Sequence, residues 1–123
     1  MFYSYVSDIK KRLSFLKKEG YKFEQCAYEL LLYNPEKLYL EFEYIPKEDK
    51  IIISISTKQG SMLLENCGLP YINLEIMQII QNCSCKTQVE ILTKIVSISI
   101  HKLEKIKADI DKYWYYLLLR DAI

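Results

Sequence analysis

The C-terminal third of the chain carries an apolar seam, which constrains the fold more than any other feature. Its members alternate at spacings of three and four residues, and only Ser99 among them is polar. They are Val89, Leu92, Val96, Ser99, Leu103, Ile106, Ile110, Tyr113 and Leu117. This repeat predicts one helix of about 30 residues, ~45 Å long at ~1.5 Å per residue. Thr87 with Glu90 forms a capping box that predicts the helix start.

The predicted helix leaves two questions open. Residues 96–100 also alternate with period two, so a strand there is an alternative. In addition, residues 113–119 are apolar on all sides, and such a helix end needs a cover. A domain of this size is about 35 Å across, so the helix overshoots it. The cover is the segment 1–5, a second copy of the chain or a partner. The residues that pack there, within the chain or in a homodimer, are Leu103, Ile106, Ile110, Tyr113, Trp114 and Leu117.

A second, shorter helix is predicted near the N-terminus. It starts near Ser4 or Ser7, either of which can cap it, and ends at Gly20. Its apolar stripe consists of Val6, Ile9, Leu13 and Leu16. Its basic residues, Lys10, Lys11, Arg12, Lys17 and Lys18, make nucleic-acid binding an alternative function, although no recognised motif accompanies them.

Three strands are predicted between the helices, over residues 23–33, 38–45 and 51–57. The second alternates with Leu38, Leu40, Phe42 and Tyr44 on one face and Tyr39, Glu41 and Glu43 on the other. Short links make the strands an antiparallel meander covered on one side. Residues 61–66 then predict one helical turn, and Ile72 to Asn82 a short, deeply buried helix. The expected fold is one α+β domain over residues 1–123: a helix, a three-stranded meander, a short helix and a long C-terminal helix, with the helices on one face.

Composition excludes several classes of protein. The 123 residues carry 17 Lys and Arg against 16 Asp and Glu, and this net charge of +1 gives no overall attraction to nucleic acid or membranes. The chain has no apolar stretch long enough to span a membrane. It starts without a basic leader and an apolar segment, so we expect no signal peptide, a cytoplasmic protein and free thiols.

The candidate chemical groups do not form a recognisable active site. Cys67, Cys83, Cys85 and His101 match a zinc site in number but not in spacing. His101 has no nucleophile partner in the sequence, and paired glutamates such as Glu41 and Glu43 are ordinary on the wet face of a sheet. We therefore expect no enzyme, no metal and no cofactor.

Tyrosine is the residue that exceeds ordinary usage, with 11 copies. Tyr28, Tyr39 and the cluster 113–116 are the candidates for exposed positions. Tyrosine is enriched at protein interfaces because it offers a large contact area at a low entropy cost. The alternative is that these rings cap the edge of the core.

The overall plan resembles that of small bacterial immunity proteins, which bind and block a toxin. The residues that carry the likeness are the strand–turn–strand run 38–57 and Thr87-Gln88-Val89-Glu90 with the helix that follows. The resemblance implies a non-enzymatic inhibitor that occludes a partner protein, such as a toxin. Tyr39, Glu41, Glu43 and Tyr28 are the expected contact residues. A self-assembling structural or chaperone-like homodimer built on the C-terminal helix is the alternative.

Overall fold

The computed structural model describes residues 2–121, except for the side chains of residues 115, 117, 118 and 121. Within these residues the chain forms three α-helices, five strands and two short 3-10 segments. The helices are α1 (Phe2–Arg12), α2 (Leu74–Gln81) and α3 (Cys85–Asp121). The strands are β1 (Lys22–Cys26), β2 (Glu29–Asn34), β3 (Leu38–Ile45), β4 (Lys50–Thr57) and β5 (Gly60–Leu63). The 3-10 segments are Ser14–Glu19 and Leu64–Asn66.

The sheet has five antiparallel strands in the order β1-β2-β3-β4-β5, so the predicted three-stranded meander is wrong. The predicted strand over residues 23–33 is two strands, which meet at a tight turn where Ala27 takes a φ of +50°. The region predicted as a helical turn over residues 61–66 begins with β5 instead. Only its last part, Leu64–Asn66, winds into a 3-10 turn. The α+β class and the antiparallel sheet are confirmed.

One face of the sheet forms the core with the helices. The period-two pattern of β3 and β4 places every second residue there, as predicted. These inner residues include Leu38, Leu40, Phe42, Tyr44, Ile51, Ile53 and Ile55. Burying side chains of this size stabilises the fold by about 1.5–3 kcal/mol each. All seven belong to one hydrophobic cluster that also contains residues of α1 and α3.

The first helix lies on the core through its predicted stripe, since Val6, Ile9, Leu13 and Leu16 are all buried. It begins at Phe2, earlier than predicted, and gives way to a 3-10 segment before ending at Gly20. Gly20 takes a φ of +88°, which favours glycine. A Cβ there would also lie 3.0 Å from the Nδ2 of Asn34.

The C-terminal helix is continuous over 37 residues, so the alternative of a strand at residues 96–100 is wrong. It starts at Cys85, ahead of the predicted capping box. The Oγ of Ser84 accepts the backbone N–H of Thr87 at 3.3 Å and thus caps the helix. At ~1.5 Å per residue, α3 is about 55 Å long. In the part of the chain that is described, no helix is both long and apolar enough to cross a membrane.

The predicted seam of α3 leaves the core toward its C-terminal end. Ser99 and Leu103 are buried, Ile106 and Ile110 are partly buried, and Tyr113 is 65% exposed. A straight helix drifts by about 20° per heptad against a strict seven-residue repeat, so the seam rotates away from the sheet. Trp114 is partly buried, and the side chain of Leu117 lies outside the described residues.

Of the three covers considered for the apolar helix end, the one within the chain does not hold for the residues described there, because Tyr113, Tyr116 and Leu119 are all exposed. The described residues of the N-terminal segment lie elsewhere. The ring of Phe2 stacks on Tyr44, with their centroids 5.4 Å apart.

The short helix α2 is amphipathic and not deeply buried. Asn73 caps it by accepting the backbone N–H of Ile76 at 2.9 Å. Met77 and Ile80 face the core, whereas Leu74 and Ile79 are more than 60% exposed. Apolar residues are so frequent in this segment that the sequence did not separate the buried face from the exposed one.

Candidate functional site

The second face of the sheet lies away from the core, and the strand register sets its side chains in rows. We call this surface the open face. One row contains Lys22, Tyr33, Tyr39, Ser56 and Ser61. The next contains Glu24, Leu31, Glu41, Ser54 and Leu63. The third contains Cys26, Glu29, Glu43 and Ile52. Every one of these residues is partly or fully exposed.

Four carboxylates give the open face its negative charge. Glu29 lies directly opposite Glu43 across the β2–β3 pair, and Glu24 and Glu41 flank Leu31 in the neighbouring row. Among the described residues, none of the four forms a salt bridge. Burial raises the pKa of Glu41 above its ordinary value, and the charges of Glu29 and Glu43 raise it further. Like charges opposite each other destabilise a sheet, so this arrangement lowers stability.

Two stacked tyrosines border this acidic cluster. The rings of Tyr33 and Tyr39 lie 5.6 Å apart at an interplanar angle of 8°. Both are partly exposed, so their outer surfaces can contact another molecule. Because each ring restricts the other, little side-chain entropy remains to be lost on binding.

A shallow depression lies inside the acidic cluster. Its volume is about 230 Å³, and it is lined by Glu24, Cys26, Glu29, Leu31 and Glu41. Carboxylates on both sides of an apolar floor suit the charged head and methylene stem of a lysine or arginine side chain.

The predicted contact residues are brought together in part. Tyr39, Glu41 and Glu43 share the open face, as their alternation in the sequence requires. Tyr28 lies at the β1–β2 turn and is 55% exposed. Its ring packs edge-on against Phe2, with the centroids 6.4 Å apart. Together with Glu29 and Glu43 it lines a separate depression of about 430 Å³ at the rim.

The sequence pattern does not reveal the partners of these residues on β1 and β2. Glu24, Glu29, Leu31 and Tyr33 fall within a segment that was predicted as one strand. Only the turn at Ala27 and Tyr28 puts them on the same side as Glu41. That turn contains no Gly, Pro, Asn or Asp, so the usual turn signals are absent. The carboxylates at Glu24 and Glu29 were the one available hint, since they fit an exposed face better than a core.

The basic residues of α1 are partly neutralised. The Nε of Arg12 lies 3.0 Å from Asp8, and a terminal nitrogen of its guanidinium lies 3.8 Å from Glu90 on α3. Lys11, Lys17 and Lys18 are exposed. The helix side of the molecule thus mixes both signs of charge, whereas the open face is predominantly acidic. The net charge of +1 conceals this division.

The cysteines and the histidine do not form a common site. Cys67 and Cys85 are buried, and burial raises the pKa of each thiol to about 11. His101 lies on α3 about 24 Å along the helix from Cys85. Its ring nitrogens lie 2.9 Å from Glu104 and 3.5 Å from Glu19. Among the side chains that the structure describes, no group of three His, Cys, Asp or Glu could hold a metal ion.

Comparisons of the chain with protein-family models, with curated proteins and with solved structures found no match.

Proposed function

We propose that this chain is a non-enzymatic protein-binding module whose open face docks on a positively charged surface of a partner protein. The observation that carries the proposal is the cluster of four glutamates beside a stacked pair of tyrosines. In the part of the chain that the structure describes, none of the four glutamates forms a salt bridge. This combination supplies electrostatic complementarity for specificity and aromatic area for affinity.

The open face is large enough for a small protein interface. Five strands at ~4.8 Å spacing make it about 20 Å wide, and it is about 25 Å long at β3 and β4, which have eight residues each at ~3.3 Å. Leu31, Ile52 and Leu63 provide apolar area between the charged and aromatic groups. A rigid sheet holds these side chains in fixed positions, so binding requires little ordering of the backbone.

The proposal includes an immunity-type role. In this role the module occludes a basic toxin in the cytoplasm. The acidic open face provides the negative charge for this contact, although the chain as a whole has a net charge of +1. The four free cysteines fit a reducing compartment. Steric occlusion needs no catalytic group, which agrees with a surface of glutamates and tyrosines.

A capture experiment with charge-reversed variants tests the proposal. The tagged wild-type chain is used to capture proteins from host extract, alongside the variants Glu41→Lys/Glu43→Lys and Lys17→Glu/Lys18→Glu. The first pair lies on the open face, and the second is an exposed control pair next to α1. We expect one partner that the wild type and the control retain and the open-face variant loses.

The purified partner then allows direct measurement of the dissociation constant. Calorimetry at two salt concentrations should show weaker binding at high salt, because ions screen exposed charges beyond about 10 Å at 0.1 M. Equal binding by the open-face variant, or selective loss of binding by the control, contradicts the proposal. Circular dichroism of each variant confirms that it is folded.

A further inference from the structure

The last part of α3 extends past the end of the sheet. Lys107 and Asp111, whose side chains pair at 2.6 Å, line a depression together with Tyr39, Thr57 and other residues at that end of β3 and β4. Ten more residues of helix follow Asp111, which corresponds to about 15 Å. This projecting section is the C-terminal tip, residues 112–121.

The tip exposes large apolar side chains. Tyr113 is 65% exposed, Tyr116 is 56% exposed and Leu119 is 46% exposed. Exposing such a helix end to water is unfavourable. Burying each large apolar side chain against a partner would stabilise the complex by about 1.5–3 kcal/mol. A partner surface for the tip is therefore favourable.

A stripe of four exposed residues runs along one side of α3, from the turn just before the tip into the tip. It consists of Asp109, Tyr113, Tyr116 and Arg120, at successive spacings of four, three and four residues. This is the spacing at which residues share one face of a helix and pack in helical pairs. The stripe thus has an acidic end, an aromatic centre and a basic end.

We propose that the tip pairs with the tip of a second copy of this chain, with the two helices antiparallel. A two-fold axis between residues 114 and 115 places Asp109 opposite Arg120 of the second copy. The same axis places Tyr113 opposite Tyr116 of the second copy, and each pair occurs twice. The stripe therefore complements itself, as a two-fold interface requires.

The charges favour the antiparallel pair over a parallel pair. A parallel pair would bring Asp109 against Asp109 and Arg120 against Arg120, and like charges across an interface disfavour association. The inference goes beyond the proposed function, because the tip and the open face are separate surfaces. Either can fail without the other.

Sedimentation equilibrium on the wild type, Asp109→Arg, Arg120→Asp and the double exchange Asp109→Arg/Arg120→Asp tests the proposal. Each single reversal should weaken the dimer about tenfold, because two ion pairs become two repulsions. The double exchange should restore the dissociation constant to within about threefold of the wild type. Tyr113→Glu should abolish the dimer, whereas the control Ile98→Glu, at an exposed position of α3 outside the overlap, should leave it unchanged.

Small-angle scattering reports the orientation of the pair. In the antiparallel arrangement residues 108–121 of both copies overlap, so the two helices span about 90 Å end to end. A monomer at all concentrations up to several hundred micromolar, a dimer that tolerates Asp109→Arg, or a double exchange that stays as weak as the single reversals overturns the proposal. Circular dichroism checks that each variant keeps its helix content.

Discussion

The side-chain carbonyl of Gln88 accepts the backbone N–H of Ile51 at 3.0 Å, which joins the start of α3 to the start of β4. The amide nitrogen of the same side chain donates to the carbonyl oxygens of Gln81 at 3.2 Å and Cys83 at 3.0 Å. Gln88 is 1% exposed, so these bonds form away from water. One amide therefore connects the sheet, the end of α2 and the start of α3.

Replacing this amide should destabilise the fold strongly. Gln88→Leu keeps a similar volume but leaves a buried N–H and two carbonyls without this partner. We expect the free energy of unfolding to fall by about 2–4 kcal/mol, since each unsatisfied buried group costs about 1–3 kcal/mol. Urea unfolding followed by circular dichroism measures the change. Gln78→Leu, at an exposed position of α2, is the control and should change stability by less than about 0.5 kcal/mol. Equal effects of the two substitutions would contradict this role.

Alkaline pH should weaken the fold in part through Tyr5 of α1 and Tyr44 of β3, whose phenols both contact Asp49 in the β3–β4 turn. The phenol of Tyr44 donates to the Oδ1 of Asp49 at 2.6 Å, and that of Tyr5 reaches the same oxygen at 3.5 Å. The hydrogen bond to Asp49, together with burial, raises the pKa of Tyr44 to about 12. Burial raises the pKa of Tyr5 to about 12 as well, with Cys85 and Asp49 contributing.

The sign of this effect follows from proton binding. Between about pH 10 and pH 12 the folded chain holds protons that the unfolded chain has released, so the free energy of unfolding falls as pH rises. Urea unfolding at about pH 9 and pH 11 measures the fall. Tyr44→Phe should reduce it, whereas Tyr3→Phe, at a position 77% exposed, should not. A fall of the same size in the Tyr44→Phe variant argues against this origin.

Local sequence patterns predicted the helices and strands whose own side chains alternate between a buried and an exposed face. The strict alternation of residues 38–45 predicted β3 with its bounds, because each strand face has a single environment. The stripe from Val6 to Leu16 predicted the first helix in the same way. The apolar repeat after Val89 predicted one long helix, since period 3.5 does not fit a strand.

Features that depend on tertiary contacts were not predictable from such patterns. The turn at Ala27 has no turn residue, and β5 is only four residues long. Thr87 has the sequence of a cap, yet the helix begins at Cys85 and the Oγ of Ser84 caps it. The heptad seam gives the period of the helix but not the point at which the sheet ends beneath it.

The candidate site also has one part that local sequence patterns predict and another that depends on strand pairing. The period of β3 alone places Tyr39, Glu41 and Glu43 on one face. That Glu29 opposes Glu43, and that Tyr33 stacks on Tyr39, depends on the register of β2, which the turn sets. Charge clustering across strands is therefore visible only after the strands are paired.

Thiol reactivity should distinguish the cysteines by position. Burial raises the pKa of Cys67 and of Cys85 to about 11, whereas Cys26 is exposed on the open face. With Cys83 replaced by Ser to simplify the signal, one thiol should react rapidly with a disulfide reagent at about pH 8. The two buried thiols should react at least about 100-fold more slowly, because so little of each is thiolate.

The rapid reaction also provides a footprint of the open face. Cys26→Ser should remove the fast phase and leave the slow phases unchanged. A fast phase that persists in this variant would show that a thiol described as buried is accessible. Protection of Cys26 by a bound partner would place that partner on the open face.

Neutralising Glu41 should make the folded chain more stable at neutral pH. Its raised pKa means that the folded state binds the proton more tightly than the unfolded state, so stability falls as pH rises through the titration of this carboxyl. Glu41→Gln removes that loss. We expect a gain of about 0.2–1 kcal/mol at pH 7 in low salt, the range for cross-strand pairs, and no gain at about pH 3. Urea unfolding at the two pH values measures both.

Glu41 lowers the stability of the fold and also lies on the proposed interface, so its substitution should affect both stability and partner binding. Glu36→Gln, at an exposed turn, is the control and should leave stability nearly unchanged at both pH values. Added salt should shrink the gain from Glu41→Gln, because it screens the repulsion from Glu29 and Glu43. The same substitution should weaken partner binding, as expected where function requires an arrangement that stability disfavours. A Glu41→Gln variant that is less stable than the wild type at pH 7 would mean that other groups of the chain already stabilise the Glu41 carboxylate. The acidic cluster would then not be evidence for a cationic partner.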